Sequence, residues 1–142
     1  MRTLCWAFAL VILGGAAVHA AGFEPVTPVK QYTGSVDDES LIAGKPPVAV
    51  ITTAADWEKL WKDWKLNGDV PTVDFGKNFA VVNTTRGGRL TMTLRKDDKG
   101  DLQVLGLATR DLRPGFRYAL AVVAREGIRT VQGKDLPAPK KD

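Results

Sequence analysis

The hydrophobic positions of this chain follow several patterns in succession, and each predicts a different element. An uncharged apolar run, LCWAFALVIL, covers Leu4–Leu13. VKQYTGSV (Val29–Val36) reads as one edge strand. Val48–Ile51 is a short apolar run behind Pro46 and Pro47, and it predicts a strand. The next stretch, TTAADWEKLWKDW (Thr52–Trp64), changes to a helical period. Trp57, Leu60, Trp61 and Trp64 fall within an arc of roughly 100° on a 3.6-residue helix, and charged residues occupy the rest. Thr53 and Asp56 form a capping pair at its start, and Glu58 and Lys62 an i,i+4 ion pair. Asn67-Gly68 sets its stop near Leu66. A one-sided helix needs a cover. The chain's own sheet is the expected one, which puts the three Trp in the core. An exposed Trp edge at a partner site is the alternative.

Beyond the helix the period falls to two. Phe79–Thr84 predicts a strand, and Leu90, Met92 and Leu94 alternate strictly with Thr91, Thr93 and Arg95. Gly87-Gly88 between these strands predicts a tight two-residue hairpin turn with positive φ. Leu102–Thr109 is a further strand, with Gly106 as a bulge marker. RYALAVVAR (Arg117–Arg125) is almost continuously apolar and therefore central. Glu126-Gly127 then turns it into IRTVQ. About five consecutive hairpin-linked strands thus follow one helix. The expected fold is α+β, a mainly antiparallel, curled β-sheet with one Trp-rich helix packed on it.

Composition sharpens this picture. A length of 142 residues suggests one domain, and 25% charged with 44% hydrophobic residues is ordinary for a folded chain. The first twenty residues stand apart. Arg2, the run Leu4–Leu13, and GGAAVHA with Val18 and Ala20 at −3 and −1 form a secretory signal cut before Ala21. An uncleaved anchor is the alternative, but the run is shorter than the roughly 20 residues of a membrane span. A lipoprotein anchor needs a Cys just after the run, and Cys5 lies at its start, so lipidation is not expected. The expected division is a signal peptide at 1–20, an extended or loop segment at 21–45, a globular domain at 46–132 and a loose tail at 133–142. The expected location is the periplasm or the cell exterior, with no membrane span after cleavage.

Cleavage removes Cys5 and His19, and with them the only Cys and His. A disulfide, a Cys/His zinc site and His-based catalysis are then excluded. Loss of Arg2 leaves 19 Lys and Arg against 16 Asp and Glu, a net charge of +3. The signs are interspersed, so no nucleic-acid-binding stripe is expected. The acidic cluster Asp37–Ser40 lacks the ligand spacing and glycine of a calcium loop. No metal and no cofactor are expected.

The order of motifs resembles a known family. A strand leads into a Thr-initiated helix with W-x-x-x-W (Trp57, Trp61), then a Pro loop, then VDFGKNFAVV (Val73–Val82) and a Gly-Gly connection into an alternating strand. This is similar, over about residues 48–131, to the C-terminal domain of PrcB-like proteins, small exported proteins named for a subunit that stabilises a surface protease complex. Where that family carries a Pro-Thr-Gly-Gly-Tyr-like run, this chain has TTRGGRL, matching at Gly87 and Gly88 and placing Arg86 and Arg89 around them. The resemblance implies an exported, non-catalytic accessory or protein-binding domain, and supplies no catalytic residue.

The binding candidates are therefore Arg86, Gly87, Gly88 and Arg89. Two guanidinium groups beside exposed N–H groups suit a carboxylate or phosphate, and an unknown protein partner presenting acidic groups. Two solvated charges at a hairpin tip are the plainer reading. Asp74 and Asn78 bracket FGK and are expected to bond nearby backbone. The spacing of Asp111, Glu126 and Asp135 picks out no catalytic pair. A hydrolase or small-ligand-binding protein of the cell envelope, working through carboxylates or Arg, is the alternative function.

Overall fold

The computed structural model describes residues 22–139, so the signal read in residues 1–20 and its cleavage point lie outside them. The elements follow as β1 (Glu24–Pro25), β2 (Lys30–Val36), β3 (Val48–Ile51), α1 (Ala54–Asp63), β4 (Asn78–Gly87), β5 (Leu90–Lys96), β6 (Asp101–Ala108), β7 (Leu112–Ala124), β8 (Thr130–Val131) and β9 (Lys134–Asp135). The strongest apolar run becomes the longest strand, β7, and Ala119 through Val123 are all buried. It lies between β2 and β4, and β3 pairs with the far side of β4, so this sheet runs β2-β7-β4-β3 and is wholly antiparallel. The second sheet runs β1-β5-β6-β8-β9, with β6 and β8 parallel and its other neighbours antiparallel.

β4 and β7 are apolar on both sides because both sides are covered. Phe79, Val81, Ala119, Ala121 and Val123 pack against Met92, Leu94, Leu102 and Val104 of the second sheet. Ala80, Val82, Phe116 and Leu120 pack against Trp57, Trp61 and Trp64. A strand with two buried faces has no polar side to alternate with. The chain is α+β, with its one described helix packed on antiparallel sheet. Its strands divide between two sheets, giving layers of helix, sheet and sheet rather than one curled sheet.

Five strands do follow the helix before the last short one. Of their four connections, however, only that between β5 and β6 joins paired strands. The others carry the chain from one sheet to the other. Gly106 marks no bulge, since the β5–β6 register runs unbroken from Leu90↔Ala108 to Lys96↔Leu102. A side chain there would collide with the buried Asn83 amide, which lies against this backbone from the facing sheet.

The helix is capped at both ends. The Thr53 hydroxyl accepts the Asp56 N–H at 3.2 Å and donates to the Asp56 carboxylate at 2.7 Å. The helix ends at Asp63 rather than near Leu66, because Lys65 turns to φ +51°. The Lys65 N–H then reaches the Lys62 carbonyl and the Leu66 N–H the Trp61 carbonyl, both at 3.1 Å, which is a Schellman closure. Trp57, Trp61 and Trp64 are 1%, 7% and 7% exposed, which leaves none of them free for a partner. The Trp57 indole N–H donates to the Pro71 carbonyl at 3.0 Å, so its polar edge is satisfied inside the fold. Trp61 stands edge-on to Tyr32 at 5.5 Å, and Trp64 edge-on to Phe116 at 5.0 Å.

Both ends of the described chain are tied in. β2 pairs with β7 along seven residues, so the segment before residue 46 supplies an edge strand of the central sheet. Residues 133–137, read as the start of a loose tail, are held by three contacts. β9 pairs with β8, the Leu136 N–H donates to the Arg129 carbonyl at 2.9 Å, and Arg125 donates to the Pro137 carbonyl at 2.8 Å. Gln132 and Gly133 have φ of +49° and +75°, the two-residue hairpin geometry that twisted strands favour.

Candidate functional site: the arginine end

Gly87 and Gly88 do not form a hairpin turn. β4 and β5 belong to different sheets, and neither glycine has positive φ. The pair is a crossing, clamped against the turn between β6 and β7. The Gly88 N–H donates to the Asp111 carboxylate at 3.2 Å, and the Arg89 N–H to the Thr109 hydroxyl at 2.9 Å. The Thr109 N–H returns a bond to the Arg89 carbonyl at 3.1 Å. A Cβ on Gly87 would lie well under 3 Å from the Thr109 carbonyl oxygen, and one on Gly88 equally close to the Asp111 carboxylate. The glycines are required by close approach, not by backbone conformation.

This clamp changes the candidate site. Arg86 and Arg89 flank the glycines, and the clamped turn brings Arg110 and Arg113 on either side of Asp111. Arg117 lies opposite Thr85 in the β4–β7 register. Between Arg117 and Leu112, which faces Gly87, β7 carries Arg113-Pro114-Gly115-Phe116 against the single Arg86 of β4. That excess bends β7 outward, and Gly115 takes it up at φ +76°. Five arginines thus gather at one end of the molecule. Two acids answer them: Glu39 approaches Arg86 at 3.7 Å, and Asp111 accepts from Arg113 at 3.0 Å. The Thr109 hydroxyl, then Arg113 and the Gly88 N–H, hold the Asp111 carboxyl below the usual carboxylate range, so it remains a fixed anion. Leu107 and Leu112 stand at this end 74% and 86% exposed.

The sequence singled out Arg86 and Arg89 but not Arg110, Arg113 or Arg117. TRDLRPGFR (Thr109–Arg117) is itself dense in Arg, and that density was the available signal. What joins the two stretches is a contact across about twenty residues of chain, which no period reports.

The other candidates remain local or dispersed. The Asp74 carboxylate accepts the Gly76 N–H at 3.0 Å, and the Asn78 amide donates to the Asp74 carbonyl at 3.0 Å, so both residues shape the start of β4. Asp111 sits in the β6–β7 turn, Glu126 in the β7–β8 turn and Asp135 in β9. Asp38 caps the short 3-10 turn Glu39–Ile42, accepting the Ser40 N–H at 3.0 Å and its hydroxyl at 2.6 Å. Among the described residues no three Asp, Glu, His or Cys side chains gather as a metal site, and no helix is long and apolar enough to cross a membrane. No family model, curated protein or solved structure matches the chain.

Proposed function

We propose that the chain is an exported, non-catalytic accessory domain that docks onto an acidic surface of a partner protein through its arginine end. One observation carries the reading: five arginines, four of them exposed and one half-buried, are gathered beside an 86% exposed Leu112 by a clamp between two loops. Exposed cations around an apolar residue form a polar rim around an apolar anchor, the usual anatomy of a protein-docking patch. Arg is also the side chain best suited to carboxylate partners, through its forked donors. The resemblance of residues 48–131 to PrcB-like domains supports an accessory role in an extracytoplasmic complex. The leader pattern of residues 1–20 supports export.

The test is capture of partners from a native envelope fraction with the parent chain and with Arg86→Ala/Arg89→Ala. The variant should melt like the parent, since the Arg86–Glu39 pair is exposed on both sides and such pairs contribute little. It should lose the partner, and the parent's capture should weaken as salt rises, because exposed ionic contacts are screened beyond about 10 Å at 0.1 M. Equal capture by parent and variant at low and high salt would remove this end as the docking site. Intact-mass measurement of the native protein should show a chain beginning at Ala21, and a chain beginning at Met1 would refute the export reading.

A further inference from the structure

β3 is the last strand of the central sheet, and its outer edge is unpaired. The Thr84 N–H donates to the Pro47 carbonyl at 2.9 Å, which fixes the phase of the β3–β4 ladder. Antiparallel bonding alternates, so Ala49 and Ile51 turn their backbone groups toward β4, and Val48 and Val50 turn theirs away. Among the described residues no hydrogen bond reaches the backbone of Val48 or Val50 from the open side. Open edges are commonly blunted by charge or by Pro within the strand. Here the two Pro precede the strand, and Val48–Ile51 carries neither device.

The same edge runs between two grooves. The cross-strand partners set the faces: Val50 lies opposite Val81 on the side of the second sheet, and Ile51 opposite Ala80 on the side of the helix. On the first side a cavity of about 320 Å³ is lined by Val48, Val50 and Leu136. On the second a cavity of about 230 Å³ is lined by Ile51, Leu60 and Val82. Ala49 borders both. Outward backbone groups at every second residue, with an apolar groove above and below, match one kind of occupant. An extended chain offers donors and acceptors at that spacing and sends successive side chains to opposite faces.

The rims carry no net charge. Lys59 is paired with Asp63, and Asp56 holds the Thr53 hydroxyl. Lys45 and Lys59 share one lining with Asp56 and Asp63, and Lys134 shares the other with Asp135, so each groove carries as many carboxylates as ammonium groups. We infer that the β3 edge binds an extended polypeptide segment as an added strand, with consecutive apolar side chains filling the two grooves. None of the five clustered arginines lines either groove, so this surface is independent of the docking end.

The probe is a phage-displayed library of random nonapeptides selected on the purified full chain. Selected peptides should carry consecutive aliphatic residues. A synthetic copy should slow amide exchange at Val48 and Val50, and should bind about tenfold more weakly to Val50→Pro, a loss of the size one hydrogen bond supplies. That substitution removes an N–H that points outward and leaves the ladder to β4 intact, which is where edge strands accept Pro. N-methylation of the peptide's own backbone should weaken binding similarly, and this arm needs no altered protein. Failure of the library to enrich, or enriched peptides that leave exchange at Val48 and Val50 unchanged, would overturn the inference. So would a dimer of the unliganded chain that Val50→Pro abolishes, which would assign the edge to a second copy.

Discussion

Adding one methyl group at Gly87 tests whether close approach or backbone conformation governs the crossing between the two sheets. The Ala Cβ would lie well under 3 Å from the backbone carbonyl oxygen of Thr109, which has no rotamer to escape into. The β6–β7 turn must therefore retreat by about an ångström, the backbone shift that overpacking forces at a cost of roughly 1–3 kcal/mol. That retreat strains the Arg89–Thr109 bonds at 2.9 and 3.1 Å. A lost bond of this kind costs about 0.5–1.5 kcal/mol net, so the total falls at about 2–4 kcal/mol. Gly88 behaves differently, because its obstacle is the Asp111 side chain, which is exposed and can rotate. Gly88→Ala should cost about 1 kcal/mol, the worth of the Gly88–Asp111 bond, and almost nothing in an Asp111→Ala background. Gly87→Asn separates the explanations. Asn tolerates positive φ and would suit a hairpin turn, yet its Cβ meets the same carbonyl. Urea melts of the parent and these variants, at constant m, read all four effects. Gly87→Ala and Gly87→Asn within about 0.5 kcal/mol of the parent, the range of an ordinary surface change, would refute the clamp.

Trp61→Ala should cost about 3–5 kcal/mol, as truncation of a large buried aromatic does, whereas Lys62→Ala should be nearly silent because its side chain is 72% exposed and its Glu58 pair is long at 3.7 Å. Equal small losses in denaturant melts would refute the packing of the helix. Burial pushes the Asp101 carboxyl up, but bonds from the Thr130 hydroxyl at 2.6 Å, the Gly133 N–H at 2.9 Å and the Gln103 amide outweigh it and hold it low. A depressed folded value means that the unfolded chain binds the proton first. The stabilisation is whole above the unfolded value near pH 4 and is lost as pH falls through the folded one. The stability gap between parent and Asp101→Asn should therefore shrink from pH 5 to pH 2, and a constant gap would refute the assignment.

The sequence by itself determined what depends on neighbours along the chain. Trp57, Trp61 and Trp64 share one face because a helix repeats every 3.6 residues, and that face is buried. Leu90, Met92 and Leu94 point inward because a strand repeats every two. The apolar run of β7 announced a strand covered on both sides. The tertiary structure alone decided which strands pair. Hairpin and sheet-crossing connections both place a short glycine-bearing link between two strands. Gly87-Gly88 and Gln132-Gly133 therefore look alike locally, yet only the second has positive φ at both positions and joins paired strands. The difference lies in Thr109 and Asp111, some twenty residues away, which bond the Arg89 and Gly88 N–H groups and leave no room for a side chain at either glycine. The same long-range contact assembled the five arginines from two stretches. The free edge of β3 likewise follows from its place at the end of the β2-β7-β4-β3 order. Periodicity fixes which way a side chain points, because that is set by bonds within a few residues. Pairing and close approach are set by what the rest of the chain brings alongside, and only the folded arrangement decides them.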